Sequence, residues 1–303
     1  MKRYWYLLVL ISAVFTSCDH FHTKTGMGFS AVKGIRFNEV SRIFNTGLTF
    51  DKQGYQLEPS WKLYFISDDS VMVFSPKMKK FYGFHVYFDH DSVFNMVDTW
   101  FMLKKLNADS MVLRSLRVAD KKAKLDDEGS NVYMTFYTDR YIDNNRVQNI
   151  QKMGLPSVKD TMFIRDRSKL ANSKLDSAFS AREPVVLEST SDLVKVEKVK
   201  SVSTPWNKLD PSVDYLYPEY NITIHKAYED FGYIFTAFVD DKGQIHYHES
   251  MIPYSHEFQS TYEHVIKGII DGYLKLYVKV TPGNTLGIAH TCSILINLTG
   301  KKD

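Results

Sequence analysis

From Trp61 to Thr138 apolar and polar residues alternate with a period of two, the pattern of strands that bury one or both faces. Short polar turns divide the run into candidate strands at 61–66, 71–74, 81–88, 100–103, 111–118 and 132–137. Three of the turns share a form, placing Asp-Ser directly before an apolar residue: Asp69-Ser70-Val71, Asp91-Ser92-Val93 and Asp109-Ser110-Met111. A short side chain that can hydrogen-bond the backbone suits such a turn. The order predicts an antiparallel meander, closed as a barrel or a sandwich.

After Asp139 the period lengthens. A helix is expected over 141–153, stopped at Gly154-Leu155-Pro156, and a second over 161–179, with Leu170, Ala171, Leu175, Ala178 and Phe179 on one face and Pro184 beyond it. Residues 188–204, rich in Ser, Lys and Val, read as a connector, with a domain boundary near Pro205. Residues 233–239 are apolar on both faces, as in a central strand, and Asp240-Asp241-Lys242-Gly243 offers Gly243 for a left-handed turn position before a return strand at 244–249. Ser255 is placed as an N-cap and Glu257 in the first turn of a helix whose apolar residues, Phe258, Tyr262, Val265, Ile266, Ile269 and Tyr273, recur at helical spacing; Gly272 stands where a C-cap is wanted. Pro282-Gly283-Asn284 then turns the chain into a final strand at 288–298. The expected fold class is α+β: a β meander, a short helical connector and a small module of hairpin, helix and strand.

Composition narrows the function classes. The 303 residues are 44% hydrophobic and 24% charged, ordinary globular values. The first eighteen residues form a sorted unit of Lys2 and Arg3, an apolar run from Tyr4 to Val14, and Phe15-Thr16-Ser17 leading to Cys18. Residues 1–17 read as a signal peptide, too short to span a membrane core that takes about 20 helical residues. Loss of Lys2 and Arg3 with it takes the formal charge from +3 to 36 basic against 35 acidic residues, so no positive field favours nucleic acid. A cysteine after small polar residues at the end of the apolar run resembles the lipobox of bacterial lipoproteins in its relaxed, Bacteroidetes-type form. That resemblance implies lipidation of Cys18, with 18–30 as a tether; a plain secretory peptide with an incidental thiol is the alternative.

Two further resemblances bear on the mature chain. The meander, with Trp61 early and the turn Asn107-Ala108-Asp109-Ser110-Met111, looks like the lipocalin-like domains of such lipoproteins and is assigned to 31–140. Pro59-Ser60 precedes Trp61 in place of the lipocalin Gly-x-Trp signature, so a filled barrel or sandwich is expected rather than a calyx. Residues 141–205 form the helical connector, and 206–303 resembles the TonB C-terminal domain family. Gly232, Phe235, Phe238, Val239, Asp240, Gly243, the helix centred on Val265, Pro282 and the run from Cys292 to Ile296 carry that likeness. It implies a small α+β domain that pairs a strand edge with an extended peptide. The edge near 288–298 is the expected binding edge, with Ile288, Ser293, Leu295 and Asn297 as its contact residues. The nine prolines are scattered rather than gathered in a spacer, which favours a borrowed interaction fold over a force transducer.

Candidate chemistry centres on His246 and His248, which alternate on one face of the return strand. Two imidazoles so placed can share a metal, but zinc needs a third ligand. Otherwise Ile245 and Tyr247 face the core, and the histidines face solvent or a partner. Cys292 sits in an apolar strand and reads as a buried inert thiol. Neither a Gly-x-Ser-x-Gly elbow nor a Walker loop occurs, and the Asp68-Asp69, Asp89-His90-Asp91 and Asp126-Asp127-Glu128 groups read as turns. The Tyr-rich stretches at 215–220 and 273–277 suit either recognition or a β-rich core. Together these features describe a non-enzymatic, protein-binding lipoprotein without a cofactor. Cys18 would hold it at the outer membrane of a bacterial envelope, facing the periplasm or the surface. The alternative is a secreted hydrolase or metal-dependent enzyme using His246 and His248.

Overall fold

The computed structural model describes residues 28–76, 78–119, 122–123, 131–144, 150–200, 212–253 and 255–302. The signal peptide, Cys18, most of the tether, the Asp126-Asp127-Glu128 turn and the boundary at Pro205 lie outside the described residues. In chain order come β1 (Arg36–Phe44), β2 (Lys62–Ser67), β3 (Ser70–Ser75), β4 (Lys80–His85), β5 (Tyr87–Phe88), β6 (Val93–Met96), β7 (Thr99–Leu106) and β8 (Ser110–Leu116). The short pair β9 (Val118–Ala119) and β10 (Lys122–Ala123) follows, and then β11 (Val132–Thr138). All but that short pair form one antiparallel sheet in the order β4-β3-β2-β1-β11-β8-β7-β6-β5. Its two end strands are separated by Val86 alone, whose N–H donates to the Asp69 carbonyl at 2.8 Å, so the sheet curls into a nearly closed barrel.

The alternation read from the sequence sends Phe37, Leu63, Phe65, Phe101, Met111 and Phe136 inward, each essentially without exposure. Phe29 plugs the end of this core, stacked on Phe65 with ring centroids 3.6 Å apart. The interior is therefore filled by side chains, at the density that makes every methylene count. Buried Glu39 is satisfied by Arg42, which donates to both carboxylate oxygens at 2.7 Å, and by the backbone N–H groups of Ser60 and Trp61. Strands β1 and β6 escaped the period-two reading, and the expected strand at 81–88 breaks at Val86, where the sheet turns from one end strand to the other.

The expected helix over 141–153 is found as Asp139–Asn144 and Ile150–Met153. The next helix, Val158–Ser173, starts earlier than its apolar residues suggested because Ser157 and Asp160 close a capping box. Its buried face is Asp160, Ile164, Ser168 and Ala171, while Leu170 and Leu175 stand exposed.

The second sheet draws on β12 (Val186–Ser189), β13 (Val194–Lys198), β14 (Glu219–Ile224), β15 (Phe231–Val239), β16 (Ile245–Ser250), β17 (Val278–Thr281), β18 (Asn284–Thr285), β19 (Ile288–Ala289) and β20 (Cys292–Gly300). Five of these form the order β13-β14-β20-β15-β16, with β14 and β20 parallel. Strands β12 and β17 pair separately, as do β18 and β19. The stretch 188–204 is thus no bare connector, since β13 and the end of β12 lie within it. Helix His256–Ile269 covers one face of the sheet, seating Ile266 and Ile269 on a core that includes Phe235 and Ile296. Gly272 does not end it. The chain passes through a π-helical turn at Ile270–Leu274 into Lys275–Tyr277, and that wider turn keeps Ile270 and Leu274 buried.

A seam joins the two sheets. Phe50, Ile164, Ala171 and Phe179 form its apolar part. Arg182 ties it from one side, donating to Gln56 at 2.9 Å and Glu58 at 2.8 Å with its guanidinium 4.7 Å from the Tyr215 ring centre.

Candidate functional site

A candidate site outside the cores lies where β16 meets the π-helical turn. The preceding turn is built by Asp240, whose Oδ1 accepts the N–H groups of Lys242 and Gln244 at 2.9 and 2.8 Å, and by Gly243 at φ 80°. A Cβ on Gly243 would come within 2.9 Å of the Val280 carbonyl oxygen, so glycine is needed both for its conformation and for the close approach of β17. Between this hairpin, the π turn and β17 opens a groove of about 210 Å³. Leu274, Val278 and Ile270 are buried and give it an apolar floor; Gln244, Asp271 and Lys275 are exposed on its rim.

Strand β16 pairs with β15 and, among the described residues, with no second strand, so its other edge opens on the groove. The opposite edge of the sheet, β13, carries exposed Lys195, Glu197 and Lys198, with Lys195 and Glu197 paired at 2.8 Å. Charges of that kind discourage strand pairing. Strand β16 lacks them at its start, where Ile245 and Tyr247 pack on the core.

The sequence-predicted residues fall into place around this site in unequal measure. His246 and His248 do share β16. His246 Nε2 lies 2.9 Å from Asp240 Oδ2, and His248 Nδ1 lies 3.1 Å from Thr236 Oγ1, against the Phe238 ring. Burial pushes the Asp240 carboxyl upward, but the hydrogen bonds from His246, Gln244 and Lys242 outweigh it and hold the group below its ordinary value. The register slips between Thr236 and Ala237, which leaves His248 as the extra residue of a β-bulge and turns Glu249 toward Thr236. Among the described residues no group of three His, Cys, Asp or Glu side chains is gathered that could hold a metal.

Ser293, Leu295 and Asn297 share the face of β20 turned away from the helix, and Asn297 Nδ2 donates to Glu219 and Asn221 of β14 at 2.6 and 2.9 Å. The edge assigned to them is a correction: β20 lies between β14 and β15 with both edges paired, so it has no backbone left for a partner strand. Ile288 belongs to the short β19 and packs on the seam. The expected final strand over 288–298 divides at His290-Thr291, both fully buried, into β19 and β20. Cys292 is buried, and burial pushes its thiol up to about 12. Cys18 lies outside the described residues.

Sequence reasoning missed the far wall of the groove, Ile270 to Val280. The available signal was the continuation of apolar residues past Gly272, through Leu274, Leu276 and Val278. No helix among the described residues is long and apolar enough to cross a membrane. The chain matches no protein-family model, and no curated protein matches its sequence.

Proposed function

We propose that this chain is a lipid-anchored protein of a bacterial cell envelope that binds a protein partner by strand addition and catalyses no reaction. The observation that carries the reading is the edge of β16, paired on one side only and opening on a groove with an apolar floor and a polar rim. An added strand gains backbone hydrogen bonds along such an edge, and a neighbouring pocket for one side chain in two supplies selectivity. The signal peptide and the residues before Cys18 support the anchor. The likeness to the TonB C-terminal domain family supports strand pairing as the mode of recognition, relocated from β20 to β16. The enzyme alternative would need a third ligand shared by His246 and His248; Asp240 stands 2.9 Å from His246, while His248 is turned to Thr236.

The test is site-specific photo-crosslinking in a bacterial host expressing the full chain. A photoreactive residue in place of Gln244 or Lys275, on the groove rim, is expected to give one discrete crosslinked species. The same residue in place of Asn221, exposed on β14, is expected to give none. Equal crosslinking from position 221, or none from 244 and 275, refutes the site. Intact mass of the wild-type and Cys18→Ala chains reads the anchor separately.

A further inference from the structure

The outward face of β2, β3 and β4 gathers aromatic side chains beneath cations. Phe81 packs against Tyr64 and Phe74, with ring centroids 5.3 Å apart in both pairs, and Ile66 beside them is 43% exposed. Two cations lie over this cluster, the Arg36 guanidinium 5.7 Å from the Phe81 ring centre and the Lys62 ammonium 5.8 Å from that of Phe74. Exposed Lys79 follows on the β3–β4 turn. The carboxylates nearby are engaged: Asp139 accepts from Asn38 at 2.6 Å and lies 3.8 Å from Arg36, and Asp69 accepts from Ser67.

The chain enters the fold at one end of the same face. Ser30 donates its N–H and O–H to the two carboxylate oxygens of Asp68, in the β2–β3 turn, at 2.8 and 2.6 Å. Gly28 lies so close that a Cβ there would come within 2.4 Å of that carboxylate, and the stacked Phe29 fixes the position. Nine residues lie between Cys18 and Gly28, a reach of at most about 35 Å. In an anchored chain the β2–β3 end of this face would lie within that reach of the bilayer.

We infer that the outward face of β2–β4 rests on an anionic lipid surface. Aromatic and aliphatic side chains flanked by cations with long apolar stems suit the boundary between headgroups and acyl chains. Each cation near an anionic bilayer adds attraction. The inference rests on the anchor reading for its orientation, whereas the lipid affinity of the face is separable from it.

The experiment uses the mature chain with Cys18→Ser, free of acyl groups, sedimented with vesicles of phosphatidylcholine alone or mixed with phosphatidylglycerol. Binding is expected on the mixed vesicles and not on the neutral ones, and Lys62→Gln/Lys79→Gln is expected to weaken it about thirtyfold. Ile66→Glu should weaken it too, while Lys195→Glu on the second sheet should not; circular dichroism checks that each variant is folded. Equal sedimentation with both vesicle types, or no effect of the Lys62 and Lys79 changes, overturns the inference. So does a self-association that needs no vesicles and is lost in Ile66→Glu, which would assign the face to a second copy. The acyl mass of the wild-type chain is read independently. An acylated protein whose Cys18→Ser form ignores anionic vesicles overturns the face and keeps the anchor; an unacylated protein that binds them does the reverse.

Discussion

His290 makes the joint between the two sheets sensitive to acid. Its imidazole has no exposure, stacks on Phe179 at 3.7 Å with the planes 6° apart, and lies with Nε2 3.0 Å from Thr285 Oγ1 and Nδ1 3.2 Å from the Thr291 carbonyl. A carbonyl partner requires the proton on Nδ1, and in the neutral ring Nε2 then accepts from the threonine hydroxyl. Burial, opposed in part by the Thr291 carbonyl and aided slightly by the charge of Arg167, lowers its pKa from 6.5 to about 4. Above pH 6.5 the group then contributes no pH dependence. As the pH falls below 6.5 the unfolded chain takes up a proton that the folded chain refuses, and stability drops by about 1.4 kcal/mol per pH unit until about pH 4, some 3 kcal/mol in all. Asp240, held below 3.8, adds its own loss only beneath that range. His290→Gln should be less stable at neutral pH, where it gives up the stack on Phe179, and should lose much less on acidification. Urea unfolding of both proteins at pH values from about 7 to 4 measures this. Parallel stability curves for the two would refute the reasoning.

Two predictions concern the same seam. Asp160→Ala removes the acceptor of the Ser157 N–H and O–H, both at 2.7 Å, and of the Thr49 N–H at 2.6 Å. A lost cap at about 1 kcal/mol and a stranded buried N–H at about 1–3 kcal/mol should together lower stability by about 3 kcal/mol; calorimetry reads the fall in Tm, and a change below 1 kcal/mol would count against the tie. Gly54→Ala should cost more than about 2 kcal/mol, since φ is +90° and a Cβ would sit 2.1 Å from the Ser180 carbonyl oxygen. Limited proteolysis should then cut faster near 178–185, and an unchanged rate would show that the contact is not needed.

What the sequence disclosed was local. The alternation at Leu63-Tyr64-Phe65, the Asp240–Gly243 turn and the apolar stripe of Ile266 and Ile269 each describe one element, and the structure keeps each of them. What it withheld depends on partners distant in the chain. Strand β1 is bulged at Glu39, whose buried carboxylate reads as a polar interruption until Arg42 and the Ser60 and Trp61 backbone are brought to it. Strand β13 looks like a solvated connector because its Lys and Glu residues guard an edge. The helix at Gly272 continues because Ile270 and Leu274 reach the sheet, a gain in burial that outweighs the roughly 1 kcal/mol a glycine costs in a helix.

The move of the proposed binding edge from β20 to β16 follows from the same rule. Ser293, Leu295 and Asn297 alternate outward as the period predicts, and that alternation is indifferent to whether one neighbour or two flanks the strand. The number of neighbours is fixed by β14, which returns parallel to β20 from a segment about seventy residues earlier and fills the side that a hairpin alone would leave open. Once β20 is central, the sheet ends at β13 and β16, and composition becomes informative again. An edge selected to stay monomeric carries charge, as β13 does at Lys195, Glu197 and Lys198, whereas an edge with apolar Ile245 beside an apolar pocket is open to pairing. Replacing Gln244 by lysine would set a charge at the entry to β16, as β13 carries along its edge, and the crosslink from position 275 should disappear with the fold intact.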